Sequence, residues 1–147
     1  MPRFSASLPE GHFEGSTFQF PVRVYYEDTD FSGVVYHASY LRFLERGRTE
    51  LLRACDVHQG AISTGDAGAV FGFAVASLNV RFIKPARMDD GLIVATDVIE
   101  LGGASLDLRQ RILRSGELLL DANVRIACVA NGRPMRIPSE IRQKLTR

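Results

Sequence analysis

Long apolar runs, lysine, cysteine and any surplus of one charge are all scarce in these 147 residues, and each scarcity excludes something. No stretch is long and apolar enough to span a bilayer. The segment from Met1 to Thr17 is polar and glycine-bearing, without the apolar centre of a secretion signal. A cytoplasmic protein with no membrane insertion is expected. The 18 basic and 17 acidic residues leave a net charge of +1, too little for a domain built to track nucleic-acid phosphates. Only Lys84 and Lys144 are lysines; the other basic residues are arginine, which suits a two-pronged grip on phosphate or carboxylate but also follows genome composition. The two cysteines, Cys55 and Cys128, sit in apolar settings without metal-ligand spacing and read as buried free thiols of a reducing compartment. No metal ligand set is visible.

What is present fits one domain. At 46% hydrophobic and 24% charged the composition is that of an ordinary globular chain, long enough to bury a single core. Residues 1–19 show no sustained period and read as a flexible N-terminal arm, with a single domain over 20–147. From Phe20, Val22, Val24 and Tyr26 alternate with Arg23 and Tyr25, which predicts a half-buried strand with Tyr26 pointing inward. Asp28 to Gly33 interrupts it. A helix then starts near His37 to Ser39, with Tyr40, Leu44, Gly47, Leu51 and Cys55 along one stripe. Arg42, Glu45, Arg46, Thr49 and Arg53 lie opposite. Gly47, inside the apolar stripe, predicts close approach of that helix to a sheet.

Residues 56–69 read as a glycine-bearing loop. Four strands are expected beyond it, over about 70–84, 92–101, 104–114 and 117–130. They are separated by Met88-Asp89-Asp90-Gly91, Gly102-Gly103 and Ser115-Gly116, turns short enough to make neighbours antiparallel. Asn131-Gly132 ends the last strand. A short helix from Pro138 to Leu145 follows, with Ser139 as its expected cap. The fold class is therefore α+β, a β-α-β-β-β-β order in which the sheet curls around one long helix. One helix cannot cover both faces of such a sheet, so a second copy of the chain is expected against the other face.

The chemistry is concentrated between Tyr25 and Tyr40. A strand end, a loop with Asp28, Asp30 and Gly33, and a helix start combine acids with unpaired backbone N–H donors. Such a place can hold an oxyanion while a carboxylate attacks or activates water. On residue type alone, the same acids can equally be turn formers or helix caps. His37 can pack at the helix start or orient a substrate. Tyr26 can be a core tyrosine or a substrate contact. Lys84 and Arg87, flanking Pro85, can meet phosphates or line a solvated sheet edge.

The run Tyr25-Tyr26-Glu27-Asp28-Thr29-Asp30, with Gly33-Val34-Val35-Tyr36-His37 and Tyr40-Leu41-Arg42-Phe43-Leu44-Glu45, resembles the signature of hotdog-fold acyl-CoA thioesterases. The resemblance is to the YbgC-like branch of the 4-hydroxybenzoyl-CoA thioesterase family, which is linked to the Tol-Pal envelope system. Leu78 to Asp90 resembles that family's next strand and turn. The resemblance implies a long helix wrapped by an antiparallel sheet and hydrolysis of acyl-CoA or acyl-carrier-protein thioesters. It further implies no cofactor beyond the coenzyme A of the substrate, and a homodimer or homotetramer with sites at subunit interfaces. It places Asp30 as the catalytic acid, Tyr26 and His37 at the site, and the N–H at His37 as a donor to the thioester carbonyl. Gly33, Lys84 and Arg87 are carried with them as substrate-binding candidates. A non-catalytic binding module and an acyl-thioester dehydratase or hydratase are the alternative functions.

Overall fold

A computed structural model describes residues 7–59 and 71–146. Strands β1 (His12–Glu14) and β2 (Thr17–Arg23) open the chain, followed by a 3₁₀ turn (Tyr26–Asp28) and helix α1 (His37–Ala54). Then come β3 (Gly72–Phe82), β4 (Gly91–Leu101), β5 (Ser105–Arg114), β6 (Glu117–Ala130), β7 (Arg133–Pro134) and α2 (Ser139–Leu145). All pairings are antiparallel, in the spatial order β1-β2-β4-β5-β6-β3, with β7 joined to one end of β6.

Several sequence expectations change. Part of the segment expected as a loose arm is paired: His12, Phe13 and Glu14 stand opposite Gln19, Phe18 and Thr17. Phe18 is buried, and Gly15 at the turn has a φ of +61°. Consecutive strands β3 and β4 are not neighbours. The eight residues from Ile83 to Asp90, with Pro85 among them, carry the chain across the sheet rather than closing a hairpin. Gly102-Gly103 is not a two-residue turn with positive φ. That geometry occurs at Ser115-Gly116 (φ +49° and +82°) and Asn131-Gly132 (φ +52° and +73°), where both central residues are left-handed as such hairpins require. Pro138, rather than Ser139, is the cap residue of α2, without a side-chain cap bond. The loop expected over 56–69 lies largely outside the described residues.

The helix stripe folds as its period predicts. Tyr40, Phe43, Leu44, Gly47, Leu51 and Leu52 are buried against β2 and β4, while Arg42, Glu45, Arg46 and Arg53 face out. A Cβ on Gly47 would come within 2.7 Å of Val94 Cγ1, so the missing side chain lets α1 sit directly on the sheet. Beneath it, the fully buried Gln110 donates through Nε2 to the Leu44 carbonyl and to Thr96 Oγ1, each at 3.0 Å, and accepts from Arg48 at 3.0 Å. These bonds satisfy the buried amide and tie α1 to β4 and β5.

The outer face of the sheet carries paired charges: Arg109 with Asp121 at 3.0 Å, Arg125 with Asp107 at 2.8 Å and Arg111 with Asp97 at 3.4 Å. Uncovered apolar side chains lie on the inner side of β3 instead. Leu78, Val80 and Phe82 stand opposite the buried Val124, Ala122 and Leu120, yet Leu78 is 39% exposed and Phe82 is 52% exposed. Helix α1 covers β2 and β4 and leaves this edge open.

Candidate active site

The loop after β2 is a small closed turn. Val24 is buried, and the chain then winds through the 3₁₀ turn, where the Asp28 carboxylate accepts the Tyr25 N–H at 2.8 Å. The Asp28 carbonyl accepts the Tyr36 N–H at 2.9 Å. Asp28 is therefore a buried structural acid that ties both ends of the loop together, in keeping with the turn-forming reading of that residue. Tyr26 departs from its expected inward position. Strand β2 stops at Arg23, the alternation runs on only through Val24 and Tyr25, and Tyr26 is 79% exposed on the 3₁₀ turn.

Residues Asp30 to Gly33 form a reverse turn in which the Gly33 N–H bonds the Asp30 carbonyl at 3.0 Å and the Asp30 N–H bonds the Val34 carbonyl at 3.0 Å. Gly33 has a φ of +85°, the left-handed residue that closes such a three-residue loop. Open space surrounds its Cα, so the glycine is required by backbone conformation rather than by crowding. Below the turn, Thr29 bridges Val35, Val34 bridges Arg87, and the Val35 N–H bonds the Ala86 carbonyl at 2.8 Å. Those bridges set the Asp30 turn beside the middle of the connection that holds Lys84 and Arg87.

Asp30 is exposed. Its Oδ1 accepts the Ser32 N–H at 2.8 Å and also the Ser32 hydroxyl. The Ser32 hydroxyl and then the Ser32 amide hold its carboxyl below the usual carboxylate value, against a smaller opposing effect of burial, and the His37 charge lowers it more weakly still. No other residue among those described donates to Oδ2.

Helix α1 begins at His37, next to this turn, with Tyr36 at the cap position and no side-chain cap bond. The Ser39 N–H turns back to the Tyr36 carbonyl at 2.8 Å, whereas the amides of His37 and Ala38 stand at the helix start, where no carbonyl precedes them within the helix. The positive end of the helix dipole points the same way. The His37 ring lies tilted at 54° against Tyr36 with centroids 4.4 Å apart, and His37 lines a groove of about 280 Å³ with Val35, Tyr40, Phe82, Lys84 and Pro85. The groove wall is fixed by Tyr40, whose buried hydroxyl accepts the Ala86 N–H at 2.9 Å. A further cavity of about 260 Å³ lies toward the other end of α1, between Leu51, Leu52, Phe73 and Leu106.

Lys84 is placed by an irregularity in β6. Opposite the pair Ile112 and Leu113, β6 carries one extra residue, Leu119, whose carbonyl accepts both the Ile83 N–H at 2.9 Å and the Lys84 N–H at 3.1 Å. The Lys84 ammonium reaches Glu117 at 2.7 Å, so it is held within a cluster and is not a free cation. Arg114 completes the cluster with Asp90 at 2.9 Å and Glu117 at 2.8 Å, and it donates to the Pro85 carbonyl at 3.2 Å. Among the charged side chains of this connection, Arg87 is exposed and bonds Asp90 through its backbone only.

Asp30, Gly33, His37, Lys84 and Arg87 thus come from three separate stretches into one neighbourhood, while Tyr26 is largely exposed on the 3₁₀ turn. Sequence reasoning did not single out Ser32, Tyr40 or Arg114 in this setting. Arg114 carried a signal, since it flanks the Ser115-Gly116 turn three residues before Glu117. Among the described residues no group of three or more His, Cys, Asp or Glu is arranged to hold a metal ion, and no helix is long and apolar enough to cross a membrane.

One long helix seated on an antiparallel sheet, with an acid-bearing turn at its N-terminus, is the hotdog form of the α+β class. The 4-hydroxybenzoyl-CoA thioesterase from Pseudomonas sp. strain CBS-3 superposes with a TM-score of 0.79 over 88% of this chain and 99% of its own, at 20% identity, a likeness of fold alone. Sequence similarity is narrower. The acyl-CoA thioesterase YbgC of Haemophilus influenzae is 44% identical over 127 residues, 85% of this chain and 91% of its own. A probable thioesterase from Bartonella henselae is 41% identical with a TM-score of 0.80, covering 83% of this chain and 99% of that one. The profile of the thioesterase-like superfamily matches residues 24–145, and the chain belongs to that family.

Proposed function

We propose that this protein hydrolyses acyl-CoA thioesters, with Asp30 as the acting carboxylate and the start of α1 as the oxyanion site. The observation that carries this reading is a carboxylate with one oxygen held by Ser32 and no other described residue donating to its second oxygen, on the turn that leads into the start of α1. The amides at His37 and Ala38 polarise the thioester carbonyl and take up the charge that develops on its oxygen. Asp30 either adds to the carbonyl carbon, expelling the thiolate of coenzyme A and leaving a mixed anhydride that water cleaves, or removes a proton from the water that attacks. Both routes end in a carboxylic acid and free coenzyme A.

His37 lines the groove and is near enough to Asp30 for its charge to act on the carboxylate, and orienting the acyl group is the role assigned to it. A groove of about 280 Å³ suits a short or aromatic acyl chain. Arg87, and Lys84 within its cluster, meet the phosphates of coenzyme A or of the phosphopantetheine on an acyl-carrier protein. The outward ring of Tyr26 contributes at the rim. The open inner edge of β3 is covered by a second copy of the chain, giving a homodimer that can pair again into a tetramer; a solution mass equal to one chain would refute this.

The test is release of free thiol from a panel of acyl-CoA and acyl-carrier-protein thioesters by wild type and Asp30→Asn. Loss of turnover in a variant that keeps its thermal stability supports the reading. Full turnover in Asp30→Asn removes Asp30 from the chemistry, and saturable binding without turnover by wild type makes the protein a binding module.

A further inference from the structure

We propose that Ser32 is a positioning residue that clamps one oxygen of Asp30, so that Oδ2 is the reacting oxygen. This rests on the reading of Asp30 as the acting acid. A turn of this kind needs only the backbone N–H at position 32, which any residue except proline supplies. The Ser32 hydroxyl is an addition. It donates to the same Oδ1 that already accepts the Ser32 N–H. An exposed aspartate otherwise turns freely about its last side-chain bond and exchanges its two oxygens. Two donors on Oδ1, with none from another described residue on Oδ2, stop that exchange and leave the more basic oxygen facing the reactants.

The other charged groups around the turn do not substitute for this clamp. His37, from the start of α1, acts through its charge, and the backbone of Arg87 bridges Val34. Asp28, the nearby acid on the same loop, is buried with its carboxylate on the Tyr25 N–H. Ser32 itself is exposed, so replacing it removes a hydroxyl without opening the core.

The experiment is the pH profile of kcat and kcat/KM on an acyl-CoA substrate for wild type, Ser32→Ala and Ser32→Thr, with Asp30→Asn alongside. Ser32→Ala should lower kcat by about ten- to a hundredfold, as loss of one hydrogen bond to a charged group implies, with KM within about twofold. Its acid limb should move to higher pH, and Ser32→Thr should restore both features. An unmoved acid limb and unchanged kcat in Ser32→Ala, or a Thr variant as impaired as Ala, overturns the proposal while leaving Asp30 in place. Activity retained in Asp30→Asn overturns the underlying reading and this one with it.

Discussion

Replacing Gly33 by alanine isolates backbone strain from every other effect in the acid-bearing turn. The residue has a φ of +85° and nothing within 4 Å of the position a Cβ would take, so an added methyl meets no neighbour. What it meets is its own backbone. Holding an L-residue in the left-handed region costs about 1–2 kcal/mol. The smaller conformational freedom of alanine in the unfolded chain returns about 0.4–1 kcal/mol of that. A net loss near 1 kcal/mol is expected, read as a fall in Tm of about 2–4 °C for a chain of this size.

Activity should fall further than stability. The Gly33 N–H and the Asp30 N–H close the turn that sets the acid, and a misplacement on the order of 1 Å costs about a hundredfold in rate. Circular-dichroism melting and thiol release from acyl-CoA measure the two effects on the same samples. Gly33→Asn supplies the discriminating arm, because asparagine is larger than alanine but tolerates left-handed backbone better. Strain predicts that the Asn variant is the more stable of the two. An Asn variant that melts below the Ala variant, or an Ala variant equal to wild type in both assays, would refute the reasoning.

Tyr40→Phe leaves the N–H of the buried Ala86 without its acceptor, and the expected cost is about 1–3 kcal/mol, seen as a lowered midpoint in urea unfolding. Arg87→Ala should raise KM for an acyl-CoA by about five- to tenfold and change it little for an acyl thioester lacking the nucleotide, a contrast that shrinks as salt is added. The lowered Asp30 value fixes the sign of the pH response. A carboxylate held below its ordinary range stays ionised at every pH above it, so the acid limb of kcat/KM should fall below the ordinary aspartate value near 3.8; a limb well above that value would contradict the assignment of Asp30.

The helix was legible because its signal is local: the stripe from Tyr40 to Cys55 and the glycine within it are consequences of 3.6 residues per turn, and all five residues are buried. The acid-bearing turn was legible for the same reason, since aspartate at its start and glycine at its end are what its backbone demands. Tyr26 continues the alternation of Val22 and Val24 in sequence, but the Asp28 carboxylate on the Tyr25 N–H and the turn bonds to the Tyr25 and Tyr26 carbonyls wind these residues into a 3₁₀ turn that a period of two does not register. The larger failure was non-local. The order of strands could not be read from turn composition alone, because an eight-residue connection can close on a neighbour or cross the sheet. Only the pairing of β3 with β6 decides it. The extra residue at Leu119 was hidden by a run of three leucines, in which any of them could have faced inward.

The turn that carries Asp30 is pinned at its base and unattached at its tip. Thr29, Val34 and Val35 are bridged to the framework, whereas Phe31 and Ser32 stand clear of it, both exposed. Substitutions at these two positions can therefore be screened in bulk with small risk of losing the folded scaffold. For anyone wishing to alter substrate preference or working pH, the tip is a natural cassette, two codons wide, in which variation reaches the reacting acid before it reaches the core.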